Sequence, residues 1–496
     1  MILGGWLVVI GAGVFLRFDQ LSQRPFHADE ATGARITAAR IESGAYHFDP
    51  SHYHGPILSG LSIPICRLWG ERHWPEMTKT SLRCLTAMAG SLLLFVPLLW
   101  RRRFGDGPSL LAAAMLATSP LLVYYSRMFI HESLLVLFGI LVLGSLSRAP
   151  RWGLPGFWIG LMFATKESFV ISMVAWSAAG LWLAVENRKQ LDRAWWISAW
   201  KEYRLPLGMS LLTAVLTAGF FYTDGFRHLS GAIDAVRTFF VYQTVDGHQK
   251  PFGYYFELLV VPFKSGGGWW FGTPVVILAL LGFTTSFRRG AKNRGTVRFL
   301  GYAAIGHFLI YSIIRYKTPW LASLPWAHVC LLAGFSVAGY SQHGLPIKSV
   351  LGLLVGLCLG SQFYQTRQAN GRFASDERNP FAYVPSRADL ESLESWLKQL
   401  QQTLPVGSLE PIAVVGSDYW PLPWYLRAFA KIGYWSSPPD NLASLPVIFA
   451  LPEMEEAVTS QVQHSHIPLP RGLRAGVAVT LFIRNDLWNH WRENGK

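Results

Sequence analysis

The sequence predicts a polytopic α-helical membrane protein that ends in a small α/β domain. Three observations carry that prediction. Of 496 residues, 51% are hydrophobic and 15% charged, with 21 tryptophans, a balance too apolar for an ordinary soluble chain. Apolar runs of spanning length recur through residues 1–365. Over residues 366–496, charged residues become common and short β-rich runs alternate with helical patterns, as in a small α/β unit.

A helix crossing about 30 Å of hydrocarbon needs about 20 residues at 1.5 Å rise each. About eleven segments meet that yardstick, near residues 2–18, 80–100, 108–125, 129–147, 152–166, 168–185, 205–222, 270–287, 297–315, 319–340 and 347–365. The run from Ile2 to Leu16 lacks a basic flank and a small-residue cleavage site, so it reads as a retained helix and not a signal peptide. Cys66, Cys84, Cys330 and Cys358 lie in or beside apolar runs without metal-ligand spacing and read as buried thiols.

The formal charge is +14. Its basic residues are not gathered on one aromatic-laced domain, which argues against a nucleic-acid partner. They fall in clusters between apolar runs: Arg101 to Arg103, Arg148 with Arg151, residues 188–204, RRGAKNR at 288–294, and Lys348. All share one side, expected to be cytoplasmic. The opposite side then receives the chemistry: the 19–79 loop with Asp29, Glu30 and the turn HYHGP, then YYSRMFIHES, TKES and RYKTPW. The C-terminal domain, 366–496, falls on that same side, the periplasm or exterior of a cytoplasmic membrane.

Within the 19–79 loop, Ala31 to Ile41 has the spacing of an interfacial helix, and Gly55 to Trp69, broken by Pro64, reads as re-entrant or interfacial. The connection 223–268 is too polar to span, and a loop of that length is expected to be a functional lid. In the C-terminal domain, residues 412–417, 446–451 and 477–483 read as strands and 388–402 as a helix.

Two adjacent acids cannot both ionise cheaply, so Asp29 beside Glu30 is a candidate proton acceptor; the alternative is that Asp29 caps the following helix. Arg127, His131 and Glu132 fall within about a turn and a half of helix; either Arg127 and His131 share a face or Arg127 pairs with Glu132. Lys166 and Glu167 join the site or mark a span boundary. Arg315, Lys317 and Trp320 offer cations for a phosphate, or snorkel to the interface. Tyr53 and His54 of HYHGP are candidate substrate contacts. His52 and His54 also raise a metal reading with Asp29, Glu30, Asp49 and Glu132, the carboxylates suiting magnesium or manganese. Trp420, Trp424 and Tyr425 in DYWPLPWYLR are candidate stacking groups for a sugar ring or interface anchors.

The order Asp-Glu, His-Gly-Pro, Ser-Arg with a following acid, Thr-Lys-Glu and Lys-Thr-Pro resembles the GT-C superfold of integral membrane glycosyltransferases. It is similar to the protein O-mannosyltransferase and aminoarabinose transferase type, near the archaeal group called flippase activity-associated. The resemblance covers roughly residues 20–320, extended by PLPWYLR. It implies transfer of a sugar from a polyprenyl-phosphate donor to a protein, lipid or glycan acceptor at the outer face, with inversion. Carried over by position, Asp29 is the base, Glu30 its neighbour and Glu132 the second acid. His54 lies near the donor phosphate, where HGP departs from the double proline of relatives, and Arg315 and Lys317 stabilise the leaving phosphate. No cofactor is expected with certainty; the residues leave open a divalent cation, magnesium or manganese, at Asp29 and Glu132. The competing readings are a flippase or transporter of lipid-linked sugars, for which an internal repeat is lacking, and a non-catalytic membrane scaffold.

Overall fold

The computed structural model describes residues 2–146, 153–188, 192–241, 247–291, 293–340 and 344–494. Arg148, Arg151 and residues 242–246 of the expected lid lie outside them. Each of the eleven expected segments overlaps a helix, and those at 80–100 and 108–125 overlap two consecutive helical elements. The first, α1 (Ile2–Phe18), is followed by two amphipathic helices, α2 (Ala28–Ser43) and α3 (Ile57–Leu68), in the expected catalytic loop. A long span, Lys79–Phe104, joins α4 (Lys79–Leu92) through a 3-10 stretch to α5 (Arg101–Phe104). Next, α6 (Asp106–Thr118) and α7 (Pro120–Ser126) meet at a bend of 60°. The cause is local: Pro120 has no N–H for the preceding helix, and the Ser119 hydroxyl caps the next one by accepting from Leu122 N.

The bundle continues with α8 (Glu132–Leu146), α9 (Leu154–Thr165), α10 (Phe169–Glu186) and α11 (Arg193–Tyr222). Six helices are long and apolar enough to cross a membrane, or seven with the bent pair, among the described residues. The chain is an integral membrane protein. Helices α9 and α11 pack backbone to backbone: a Cβ on Gly156 would lie 1.7 Å from Ser210 O, the close approach that small residues permit where lipid offers no hydrophobic drive.

The 223–268 connection is not a bare loop. It folds into α12 (Ser230–Val241), α13 (Tyr254–Leu259) and, reaching Trp270, the hairpin of β1 (Phe263–Ser265) and β2 (Gly268–Trp270). Then come α14 (Thr273–Thr285), α15 (Arg294–Ile313), α16 (Ser323–Ser336) and α17 (Leu345–Asn370). Every residue of α16 is buried, so this helix is the centre of the bundle. Only 11% of the most apolar window of α17 is buried inside the protein, which leaves that helix facing lipid.

The C-terminal region orders α18 (Asp389–Gln402), β3 (Ile412–Val415), α19 (Leu422–Tyr425), β4 (Ile432–Trp435), β5 (Val447–Ala450), α20 (Glu455–Val462), β6 (His466–Arg474), β7 (Val477–Arg484) and α21 (Asn485–Asn494). The sheet order is β4-β3-β5-β7-β6, parallel across β4-β3-β5 and antiparallel across β5-β7-β6. Strands β4 and β6 were not expected: β4 is four residues long, and β6 carries Pro468 and Pro470, tolerable on an edge strand. One sheet face, with Ile412, Val414, Val447 and Phe449, joins the core shared with the helical bundle. The opposite face buries Ala413, Val415, Ile448 and Ala450 in a small core of its own.

This sheet region is docked onto the Asp-Glu loop. Tyr425 Oη accepts from Phe26 N at 2.8 Å and donates to Glu391 at 2.7 Å. Ser386 Oγ donates to Phe26 O at 2.8 Å, and Trp424 stacks on Phe26 with ring centroids 4.0 Å apart.

Candidate functional site

Helix α2 begins with a reciprocal cap. Asp29 N donates to His27 Nδ1 at 3.1 Å, and His27 N donates to Glu30 Oε2 at 3.0 Å, which satisfies two of the free N–H groups of the first turn. Because His27 Nδ1 accepts, its proton sits on Nε2, which donates to Tyr383 O at 3.1 Å. The cap is therefore His27 with Glu30, not Asp29.

The two acids then part. Glu30 is fully buried, with Arg83 donating Nε and Nη2 to it at 2.7 Å each, and Phe129 N at 2.8 Å. Burial opposes its charge, but Arg83 outweighs burial and holds the carboxyl at about 2. That corrects the expectation of a mutually repelling pair: the charge of Glu30 is spent on Arg83. Asp29 points the other way, 55% exposed, and accepts no hydrogen bond from the described residues; His27 Nδ1 at 3.8 Å is itself an acceptor. A carboxylate left open on a capped, anchored helix is placed to bond a substrate.

Near it, across Tyr383, is a ring that the motifs did not mark. His248, from the 223–268 connection, feels the charge of Asp29 and bonds Tyr383 Oη at 2.5 Å. A short antiparallel bridge brings it there: Lys250 N donates to Arg315 O at 3.1 Å and Lys317 N to His248 O at 3.0 Å. His248 was legible as part of DGHQK in a polar connection, whereas Tyr383 carried no signal in its irregular segment. On this bridge Lys250 is half-buried and Arg315 exposed. Lys317 is instead buried, with Nζ donating to Lys250 O at 3.2 Å and to Ile314 O. It ties the bridge together through these two carbonyls.

A second cluster joins HYHGP, HES and TKES. Lys166 Nζ pairs with Glu132 Oε1 at 2.7 Å, both buried, while His54 Nδ1 lies 3.0 Å from Glu167 Oε2. The His54 and His131 rings meet edge to face at 5.2 Å, and His131 Nε2 reaches Gly55 O at 3.3 Å. Burial opposes the charge of Glu167, but His54 and Lys166 hold it at about 2. Gly55 makes this approach possible, since a Cβ there would sit 2.2 Å from Ala164 O. Tyr316 connects the clusters: its ring is 5.2 Å from His248 and its hydroxyl acts on Lys166. Tyr53, half-buried, packs at the margin of the core.

Arg127 is not in this group. Residues 127–131 are the break between α7 and α8, where Arg127 donates to Leu16 O at 2.9 Å and Gln20 O at 3.4 Å. It neither shares a helical face with His131 nor pairs with Glu132, whose partner is Lys166. His52 turns to Asp49 at 3.1 Å, away from His54, and no three His, Cys, Asp or Glu side chains gather as metal ligands among the described residues. Trp424 and Tyr425 are buried docking groups; Trp420 is half-buried beside Tyr419.

The family model described as dolichyl-phosphate-mannose-protein mannosyltransferase matches residues 75–201. No curated protein matches the chain. Among solved structures, ArnT from Cupriavidus metallidurans in the apo state is similar with a TM-score of 0.64 at 16% identity, covering 97% of this chain and 98% of that one. The same protein bound to undecaprenyl phosphate gives 0.61 at 15%, covering 96% and 98%. The Archaeoglobus fulgidus oligosaccharyltransferase in its apo form gives 0.54 at 14%, covering 99% and 77%. The chain has the GT-C fold of integral membrane glycosyltransferases.

Proposed function

We propose that this protein transfers a sugar from a polyprenyl-phosphate donor to a hydroxyl acceptor, with Asp29 as the base. The observation that carries the reading is the contrast between the two acids of one helix start: Glu30 is consumed by Arg83, while Asp29 is anchored and open beside His248 and the Lys250–Arg315 bridge. The fold supports it, since ArnT, similar over nearly the whole chain, is a protein that binds undecaprenyl phosphate.

In this mechanism the acceptor oxygen attacks the anomeric carbon as its proton passes to Asp29. The bond from that carbon to the phosphate oxygen breaks, and the lipid phosphate departs with a second negative charge. Positive groups aimed at that developing charge lower the barrier most when they are preorganised. Lys250 and Arg315 are the cations available on the bridge, with His54 supported by Glu167. Attack opposite the leaving phosphate inverts the anomeric centre. Glu132, locked to Lys166, acts by positioning. The site then faces the side opposite the Lys- and Arg-rich connections, the exterior of a cytoplasmic membrane.

The test is transfer from a radiolabelled polyprenyl-phosphate sugar to a hydroxyl acceptor by purified protein in lipid. Asp29→Asn should lower turnover by about 10²–10⁴ with thermal stability unchanged, because this carboxylate accepts no hydrogen bond from the described residues. Equal turnover by both proteins overturns the assignment.

A further inference from the structure

The three parallel strands β4, β3 and β5 end together, and the loops beyond their carboxyl ends are where open α/β sheets bind ligands. An aromatic group stands near this edge. Tyr419 stacks on Trp420, centroids 6.2 Å apart, and packs on Tyr434 of the edge strand at 4.7 Å. Tyr434 is 39% exposed, so the stack has an open end. Polar groups flank it: Asp418 is exposed and paired with Arg474, and Ser417 N bonds Glu453 at 2.8 Å.

Helix α2 packs against α19 beside this edge, and Arg35 of α2 lies over the Trp74 ring at 5.4 Å. Asp29, Thr32, Gly33, Arg35, Ile36 and Ala39 are exposed or half-exposed along that helix. Arg35 lies six positions beyond Asp29, about 9 Å along the helix axis.

We propose that this shelf of Tyr434, Tyr419 and Trp420, with Arg35 and Asp418 at its rim, binds the saccharide portion of the acceptor and leads it along α2 to Asp29. The inference rests on the glycosyltransferase reading and adds the acceptor class. A sugar ring has apolar C–H faces that cover an aromatic face and hydroxyl edges that bond carboxylate and guanidinium groups, the combination found here. A peptide added to the sheet edge is the rival ligand, but β4 offers only the four residues Ile432–Trp435, short for strand addition.

Full-length protein in nanodiscs would be titrated with maltotetraose, cellotetraose, mannotetraose and chitotetraose, following tryptophan fluorescence and saturation transfer from aromatic protons. The peptide Ala-Ser-Thr-Ala is the rival probe, and undecaprenyl phosphate binding to the unmodified protein is measured separately. At least one tetrasaccharide should bind, weakened roughly tenfold by Tyr434→Ala, the size of one aromatic contact, and retained by Tyr434→Phe. The proposal is overturned if no tetrasaccharide binds, if Tyr434→Ala binds equally well, or if only the peptide binds. Undecaprenyl phosphate binding without saccharide binding leaves the donor reading standing and the shelf refuted; saccharide binding without undecaprenyl phosphate binding does the reverse.

Discussion

Replacing Glu30 with Gln separates structure from chemistry at the Asp-Glu pair. The carboxylate takes two bonds from Arg83 and two backbone N–H bonds, and both side chains are fully buried. Removing one charge of a buried pair leaves the other uncompensated, at about 3–5 kcal/mol. Linkage gives a similar size: lowering the carboxyl from 4.5 to about 2 corresponds to roughly 3 kcal/mol. Because the folded value is depressed, that stability is fully present above the unfolded value of 4.5 and is lost as pH falls through about 2. Thermal unfolding of the detergent-solubilised protein between pH 7 and pH 3 reads both effects. Glu30→Gln should lower the midpoint at pH 7 and flatten its decline on acidification. The double variant Glu30→Leu with Arg83→Met should recover part of the loss, since no lone charge remains. An unchanged midpoint at pH 7, with sugar transfer as impaired as in Asp29→Asn, would refute the structural role and return Glu30 to the chemistry.

Other expectations follow from single contacts. Gly55→Ala drives a Cβ against the backbone of Ala164; overpacking against an unyielding carbonyl costs about 1–3 kcal/mol. The midpoint and turnover should both fall, while Ser51→Ala in the exposed part of the same turn should change neither. Lys317→Met strips a donor from Lys250 O and Ile314 O, so the amides of Lys250 and Lys317 should exchange faster by mass spectrometry. Unchanged exchange with weakened undecaprenyl phosphate binding would instead make Lys317 a phosphate ligand.

Legibility differed with the range of the interaction. The helices could be read because each span must satisfy its own backbone and present about 20 apolar residues to lipid, conditions written into contiguous sequence. The polar clusters were legible for the same reason, since charge is costly at a bilayer without a partner. Which partner each charge takes was not. Arg83, 53 residues from Glu30, lies inside an expected span and left the Asp-Glu pair looking like two free acids.

By itself, then, the sequence determined a multi-helix membrane chain with a C-terminal sheet and the stretches where its polar groups gather. Only the tertiary structure decided that Glu30 is bound and Asp29 open, that Lys317 ties the 250–317 bridge together, and that His248 lies near Asp29. Those outcomes turn on which side chains meet across long sequence separations, and a buried charge takes whichever partner packing delivers to it.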